Sequence, residues 1–212
     1  MLHPNTIQEI LIHLSSYSMY VVFLVFLVKT IIKERKHVQH SPEYKIFGAY
    51  ILVATLIEIL ATIFTMQGKN SLAIGHVWYP MEFALLALFM LRFVNADKKS
   101  RTFLIIVFVL IDVLAAMIIL QCNTPLHKFS VDSDILESVA LFSFAVYILL
   151  FNKIDRYSQT FIILLVIVYY FSTSIVLNPA KFVIPEYFYI QSGVNLICNI
   201  TLALSFTSRK VL

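Results

Sequence analysis

The sequence predicts an all-α, polytopic integral membrane protein of seven transmembrane helices, with the amino terminus outside and the carboxyl terminus in the cytoplasm. The composition is 60% hydrophobic and 13% charged, and the 212 residues include only 4 glycines and 6 prolines. Apolar runs long enough to cross a bilayer, which takes about 20 residues, occur seven times. Lys and Arg cluster at alternate connections between these runs, as they do when a chain crosses the membrane repeatedly.

Each predicted helix, or span, is an apolar run bounded by polar or charged residues. The connections between spans are short, and no linker or low-complexity segment separates them. The chain is therefore predicted to form a single seven-helix domain over residues 1–212. Spans one to seven cover about 7–32, 46–66, 72–94, 102–121, 134–151, 158–177 and 184–207.

The basic residues predict the orientation of the spans. The 16 Lys and Arg divide 13 to 3 between the two sides. Because cytoplasmic loops accumulate Lys and Arg, the richer side is predicted to be cytoplasmic. The net charge of +4 then reflects this bias and attraction to anionic lipid headgroups. We expect a multi-pass protein of a cell membrane that binds no nucleic acid.

Three acidic residues lie deep within the predicted spans. They are Glu58 in span two, Glu82 in span three and Asp112 in span four, each about 10 to 15 Å from the outer end of its helix. No Lys or Arg is predicted at that depth. An ionised carboxylate in hydrocarbon is costly, so we expect these groups to be protonated, or paired with hydroxyls, amides or a bound cation. They form the predicted proton or cation site.

The depth of Glu82 depends on where span three begins. A helix starting at Pro80 would place Glu82 in its first turn. The residues from Pro80 to Arg92 would then give only about 20 Å of helix, too short for a hydrocarbon core of about 30 Å. A start near Leu72 gives a full span, with Pro80 as an internal kink that frees a backbone carbonyl near His76. We predict the kinked helix.

Other acidic residues lie near predicted helix starts. Asp132, Asp134 and Glu137 are close to the start of span five, and Glu186 is at the start of span seven. Acidic side chains at helix starts complement the helix dipole. We therefore interpret these residues as structural.

The face of Glu82 in span three also carries Gly75, Trp78 and Tyr79. We predict an aromatic, acidic pocket that opens outward and suits a small or cationic ligand. One alternative stays open, in which the aromatic side chains form an interfacial belt and the acids only link helices. The predicted ligand-binding residues are Glu58, Trp78, Tyr79, Glu82, Tyr169, Gln191 and Asn195.

The sequence lacks the signatures of several enzyme and cofactor classes. Span seven contains no Lys for a retinal Schiff base and no pair of histidines for a zinc hydrolase. No G-x-S-x-G, H-E-x-x-H or cysteine cluster occurs elsewhere. We predict a protein that is not an enzyme and needs no cofactor or metal, with a membrane hydrolase as the remaining alternative.

Three segments, VWYPMEFALLALF, YYFSTSIVL and YIQSGVNLICNITLALSF, resemble blocks of small bacterial seven-helix membrane proteins. In those proteins an aromatic-Pro-x-Glu motif opens helix three and paired asparagines mark helix seven. The resemblance implies that Pro80, Glu82, Asn195 and Asn199 are signature residues and that the chain lies in a bacterial inner membrane. Such proteins resemble the sensor modules found beside histidine kinases, which would supply an output domain.

These observations predict a membrane sensor or receptor-like bundle. It would bind a small ligand in its outer half and signal through a membrane or cytoplasmic partner at its basic loops, 33–45 and 95–101. Two alternatives stay open. The chain could be a proton- or cation-coupled transporter of small solutes, supported by the deep acids and the predicted kink. It could also be a structural subunit of a membrane complex.

Overall fold

The computed structural model describes residues 4–35, 42–69, 72–121, 131–151, 163–164, 166–169 and 187–207. These residues are helical apart from short turns, and no strand occurs among them. Predicted span six is described only at 163–164 and 166–169, which are helical, and loop residues 36–41 lie outside the described part. Six helices have defined bounds: α1 Pro4–Arg35, α2 Pro42–Met66, α3 Leu72–Met90, α4 Lys98–Gln121, α5 Val131–Phe151 and α6 Tyr187–Thr207.

Four of the helices contain segments long and apolar enough to cross a membrane. The segments are His13–Ile32, Pro42–Met66, Lys98–Leu120 and Ser133–Phe151. Two further apolar segments, Ile74–Met90 and Ser192–Leu204, are shorter. The prediction of an all-helical chain with helices of membrane-spanning length is therefore confirmed. The number of spans and their orientation stay predictions.

Four of the helices begin before the apolar runs from which they were predicted. α1, α2, α4 and α5 each start three or four residues before the predicted span. These added first turns contain the polar sequences PNT, PEYK, KKSR and VDS. Proline is favoured in the first turn of a helix, and polar residues there can reach water. Helical structure therefore extends beyond the apolar segment itself.

α3 passes through Pro80 without ending. It begins at Leu72, which confirms the predicted start, and the predicted kink at Pro80 stays a prediction. The helix ends at Met90, four residues before the predicted end of span three. The amide of Arg92 donates to the carbonyl of Phe89 at 3.1 Å, and the amide of Phe93 donates to the carbonyl of Met90 at 3.0 Å. These bonds join residues three apart, instead of the four of an α-helix, and close the last turn.

The segment after α3 leads into a capped helix start. The Asp97 carboxylate accepts a hydrogen bond from the backbone amide of Ser100 at 3.3 Å, as an N-cap does. Two hydrogen bonds from Ser100 lower the pKa of Asp97, and the bond from its side chain contributes more than the bond from its amide. Nearby, Arg92 and Glu43 form an ion pair at 3.3 Å that links the end of α3 to the start of α2.

α3 has the most central position among the described helices. It packs against α2, α4 and α5, while α1 packs against α2 and along α6. Its buried side chains include Phe83 and Phe89, and the outer face of α4 exposes Val109, Leu110 and Val113. Apolar residues exposed along a long helix are expected where lipid is the solvent. Side chains on α3 can therefore meet those of three neighbouring helices.

Candidate functional site

The carboxylate of Glu82 lies buried near the middle of α3. Its side chain is only 4% exposed, and Oε1 accepts a hydrogen bond from the hydroxyl of Tyr50 on α2 at 3.2 Å. The ring of Tyr50 also lies 6.0 Å, centroid to centroid, from that of Trp78. Tyr50 was not among the predicted site residues. Its position four residues before Ala54, and eight before Glu58, was the available signal.

A second group of acids faces α3 from α5. Asp134 and Glu137 are both buried, with 4% exposure each. Glu137 lies close enough to Asp112 on α4, to Asp134 and to Glu82 to experience their charge. Glu82, Asp112, Asp134 and Glu137 are called the acidic cluster below. The cluster joins three helices that the sequence could only place one at a time.

The interpretation of Glu137 as a helix-start residue is wrong. α5 begins at Val131 rather than at residue 134, so Glu137 lies six residues into the helix, about 9 Å from its start. That is beyond the first turn, where the helix dipole and capping act. Asp134 is the fourth residue of α5 and is buried as well. The side chain of Asp132 and all of Glu186 lie outside the described part of the chain.

Several buried oxygens near the acidic cluster have no hydrogen-bond partner among the described residues. They include Oδ1 of Asp112, Oε1 of Glu137 and Oγ of Ser138, the last on a side chain with 0% exposure. A buried polar atom without a partner costs free energy, and an ionised carboxylate costs more. These oxygens can accept a proton, or interact with a hydrogen-bond donor or a cation.

Three phenylalanine rings lie directly beside the acidic cluster and fix its level in the bundle. The ring of Phe108 on α4 contacts that of Phe83 on α3 edge-on at 5.7 Å. It also contacts the ring of Phe144 on α5 edge-on at 4.8 Å. These three residues are called the aromatic floor. Edge-on contacts are favoured between aromatic rings, so the floor holds the three helices in register.

All members of the acidic cluster lie on one side of this floor. Glu82 directly precedes Phe83, and Asp112 is one turn, about 6 Å, beyond Phe108. Glu137 is seven residues, about 10 Å, before Phe144. Phe108 contacts Phe144, and Asp112, which follows Phe108, lies within electrostatic range of Glu137, which precedes Phe144, so α4 and α5 run in opposite directions at this point. The carboxylates therefore converge in the part of the bundle towards Leu72 and Val131, the side predicted to be outer.

Tyrosines border the acidic cluster. Tyr79 lies within electrostatic range of Asp134, Glu82 and Glu137. Tyr169 lies within range of Glu82, Tyr50, Tyr79 and Asp134. Of the predicted ligand-binding residues, the structure thus brings Tyr79, Glu82 and Tyr169 together, with Trp78 beside Tyr50.

Glu58 lies apart from this group. Thr62, one turn further along α2, approaches the hydroxyl of Tyr20 on α1 at 3.4 Å. The hydroxyl of Thr62 also donates to the backbone carbonyl of Glu58 at 2.8 Å. The half-buried Glu58 lies one turn from this contact between α1 and α2, and eight residues, about 12 Å, along α2 from Tyr50, which bonds to Glu82. The structure does not place it with Glu82.

The polar residues of α6 divide between two roles. Asn199 donates from Nδ2 to Oγ of Ser18 on α1 at 2.9 Å, which ties the two helices together. Asn195 has a buried Oδ1 with no partner among the described residues. Cys198 lies within electrostatic range of Tyr50, so α6 flanks the tyrosines. The side chain of Gln191 lies outside the described part of the chain.

No Lys or Arg lies in the middle of a described helix, where Glu82 and Asp112 lie, and the basic side chain of α3 is that of His76. All the described Lys and Arg lie within two turns of a helix end. They are Lys29, Lys33, Arg35, Lys45, Lys69, Arg92, Lys98, Lys99 and Arg101. No three side chains of His, Cys, Asp or Glu in the described part converge as they would around a metal ion.

A cleft opens on the far side of the aromatic floor, at the end of the bundle that carries the connection between α3 and α4. Its volume is about 720 Å³. The mouth is polar and includes Asn95, Asp97, Lys99 and Ser100. The remaining lining is largely apolar and comprises Val94, Ala96, Phe103, Leu104, Phe144 and Tyr147. Phe144 therefore belongs both to the cleft and to the aromatic floor.

These features define the class of the molecule as a helical protein with helices of membrane-spanning length and a buried acidic cluster. No protein-family model matches the chain, and neither a curated protein nor a solved structure matches it. The resemblance to bacterial seven-helix proteins stays a prediction.

Proposed function

We propose that this protein is a multi-pass membrane protein that binds a small cation, either a proton or an organic ammonium, in its acidic cluster. One observation supports this proposal above the others. The buried carboxyl groups of Glu82 and Asp134 and the half-buried one of Asp112 lie within electrostatic range of the buried Glu137, and no described Lys or Arg lies in the middle of a helix beside them. Ionised together without a counter-charge, they would strongly destabilise the bundle. A bound cation removes that cost.

The unpartnered oxygens support a ligand rather than a purely structural role. Acids that only link helices are expected to use their oxygens in hydrogen bonds across the interface. Oδ1 of Asp112 and Oε1 of Glu137 have no such bond among the described residues. The nearby rings of Tyr79 and Tyr169 add faces that attract an organic ammonium.

Signalling through a partner protein is the biological role proposed for this binding. α3 carries Glu82 and ends at Met90, and just beyond that end the ion pair of Arg92 with Glu43 links it to the start of α2. A cation that shifts α3 relative to α4 and α5 would also move the connection at 95–101. Because the basic residues are concentrated at this end, it would present the change to a partner of acidic surface.

Cation-coupled transport is a second candidate, and a separate observation favours it. The acidic cluster lies between one end of the bundle and a cleft that opens at the other end. A binding site near mid-depth, reached alternately from two sides, is what a transporter requires. Uptake of a radiolabelled organic cation into vesicles, driven by an imposed pH gradient, would distinguish transport from signalling.

Thermal unfolding of the purified full chain tests the binding proposal. Tetramethylammonium chloride is the probe, with sodium chloride at equal ionic strength as its reference. A ligand that binds only the folded state raises stability by an amount that grows with its concentration. We expect such an increase for the natural chain, and its loss in the Glu82→Gln and Glu137→Gln variants.

The matched control is Glu43→Gln, which removes an acid at the helix end, outside the acidic cluster. It should retain the response to tetramethylammonium. If the natural chain responds equally to both salts at every pH tested, and no proton uptake or release accompanies acid titration of the cluster, the binding proposal is wrong.

A further inference from the structure

The cleft and the acidic cluster are separated by a thin layer of side chains. The cleft reaches Leu104 and Phe144. Leu104 lies one turn before Phe108, whose ring packs edge-on against that of Phe144 at 4.8 Å. On the other side of these rings lies the fully buried Leu141, one turn before Phe144 on α5. Ser138 and Glu137 lie one turn before Leu141.

The separation along α5 is short. Glu137 and Phe144 are seven residues apart, which corresponds to about 10 Å of helix. Ser138, six residues from Phe144, has 0% exposure and an Oγ without a partner in the described part of the chain. Two turns of apolar packing therefore separate a water-accessible cleft from an oxygen that has no hydrogen bond.

The ring of Phe144 borders open space on its other side. It stacks nearly parallel to Tyr147, one turn further towards the cleft, with centroids 6.4 Å apart and an interplanar angle of 9°. Tyr147 is exposed, and both rings line the cleft. A change in the side-chain torsions of Phe144 that breaks its contact with Phe108 would turn the ring towards the cleft.

We propose that this cleft is an entrance through which a small cation reaches the acidic cluster, and that Phe144 is its gate. The inference depends on the proposed cation site and adds a route and a gating residue to it. With the ring against Phe108, the layer is closed and the cluster is dry. With the ring turned towards Tyr147, water and a small cation reach Ser138 and then Glu137.

The charges at the mouth fit a conduit rather than a second binding site. Asp97 and Lys99 contribute one charge of each sign to the lining. The carboxylate of Asp97 is already hydrogen-bonded at the start of α4. The mouth therefore carries no excess negative charge that would hold a cation, and selection for charge falls to the acidic cluster beyond the gate.

Thiol labelling tests the route without requiring any knowledge of the ligand. The reporter is Ser138→Cys, an almost isosteric change, in the full chain with Cys122→Ser and Cys198→Ala. The reagent is the cationic 2-(trimethylammonium)ethyl methanethiosulfonate, and its addition is followed by mass spectrometry. We expect slow labelling of the reporter alone. Adding Phe144→Ala should increase the rate at least about tenfold, because a cavity left by a large ring can admit water.

Three matched variants make the result specific. Phe89→Ala removes a fully buried ring away from the cleft and should leave the reporter slow. Phe144→Leu fills most of the gate and should also leave it slow. Asn95→Cys at the mouth should label rapidly whichever residue occupies position 144, which verifies the reagent.

The proposal of an entrance is overturned if Phe144→Ala leaves the reporter slow, or if Phe89→Ala increases the rate as much as Phe144→Ala does. Either result concerns access alone. The thermal response to tetramethylammonium tests the cation site separately, so failure of the route can be distinguished from failure of the proposed function.

Discussion

The hydroxyl of Tyr50 lies 3.2 Å from Oε1 of Glu82 and joins α2 to α3 in the buried part of the bundle. The bond satisfies one oxygen of a carboxylate that is only 4% exposed. It leaves Asp112 and Glu137, on the neighbouring helices, with buried oxygens that have no such donor among the described residues. Glu82 is thus anchored, while the other two acids retain capacity for a ligand.

Removing the Tyr50 hydroxyl should destabilise the protein. In Tyr50→Phe the carboxyl of Glu82 loses the hydrogen bond from this hydroxyl and keeps its burial, and we expect a loss of about 1–3 kcal/mol in the free energy of unfolding. Denaturant unfolding in detergent measures it. Tyr17→Phe, at an exposed position on α1, is the control. In the Glu82→Gln background, Tyr50→Phe should lower the free energy of unfolding by less. An equal loss in both backgrounds would show that the bond between Tyr50 and Glu82 does not contribute to stability.

Replacing Glu137 by glutamine should not destabilise the bundle at neutral pH. The buried Oε1 has no partner in the described part of the chain, and the amide removes a charge that three other acids disfavour. We expect unchanged or increased thermal stability together with loss of the tetramethylammonium response. A loss of several kcal/mol would instead mean that a structural partner holds the ionised carboxylate.

The contact between α1 and α2 depends on a glycine. A Cβ at Gly48 would lie 2.5 Å from Cζ of Phe26, whose ring stacks on Tyr44 at 4.9 Å. Gly48→Val should therefore cost about 1–3 kcal/mol, because the ring cannot move without losing that stack. Thermal unfolding gives the measurement.

Gly193 on α6 provides the matched substitution. No described atom lies within 4 Å of the position its Cβ would occupy. Gly193→Ala should be neutral or stabilising by about 0.5–1 kcal/mol, since alanine favours the helix. Equal destabilisation by Gly48→Val and Gly193→Ala would contradict the packing described for Gly48.

The cap of α4 should respond to acid. Hydrogen bonds from Ser100 lower the pKa of Asp97, so its contribution to stability is fully present above the pKa of the unfolded chain. That contribution is lost as the pH falls through the lower pKa of the folded state. Asp97→Asn keeps an acceptor and should remove this acid sensitivity, whereas Asp97→Ala should weaken the cap at all pH values. Unfolding curves measured between acid and neutral pH test both.

The helical class of this protein and the approximate position of its helices follow from the order of its residues alone. Long apolar runs can satisfy their backbone hydrogen bonds in lipid only as helices, so composition and run length suffice for that inference. Run length also placed Glu82 inside α3 rather than at its start, because a helix from Pro80 would be too short. These properties depend on residues that are neighbours along the chain.

Which polar groups meet depends on how the helices pack against one another. The rotation and register of α3, α4 and α5 are set by the packing of Phe83, Phe108 and Phe144, which single-helix periodicity does not specify. Contacts between helices also brought Glu137 within range of Asp112 and gave Glu82 the hydroxyl of Tyr50 on α2. Glu58 lies instead one turn from the contact of Thr62 with Tyr20 on α1. Contacts between helices depend on how side chains from different helices pack together. Many residue patterns are compatible with the same packing, so the pattern of one helix does not specify it.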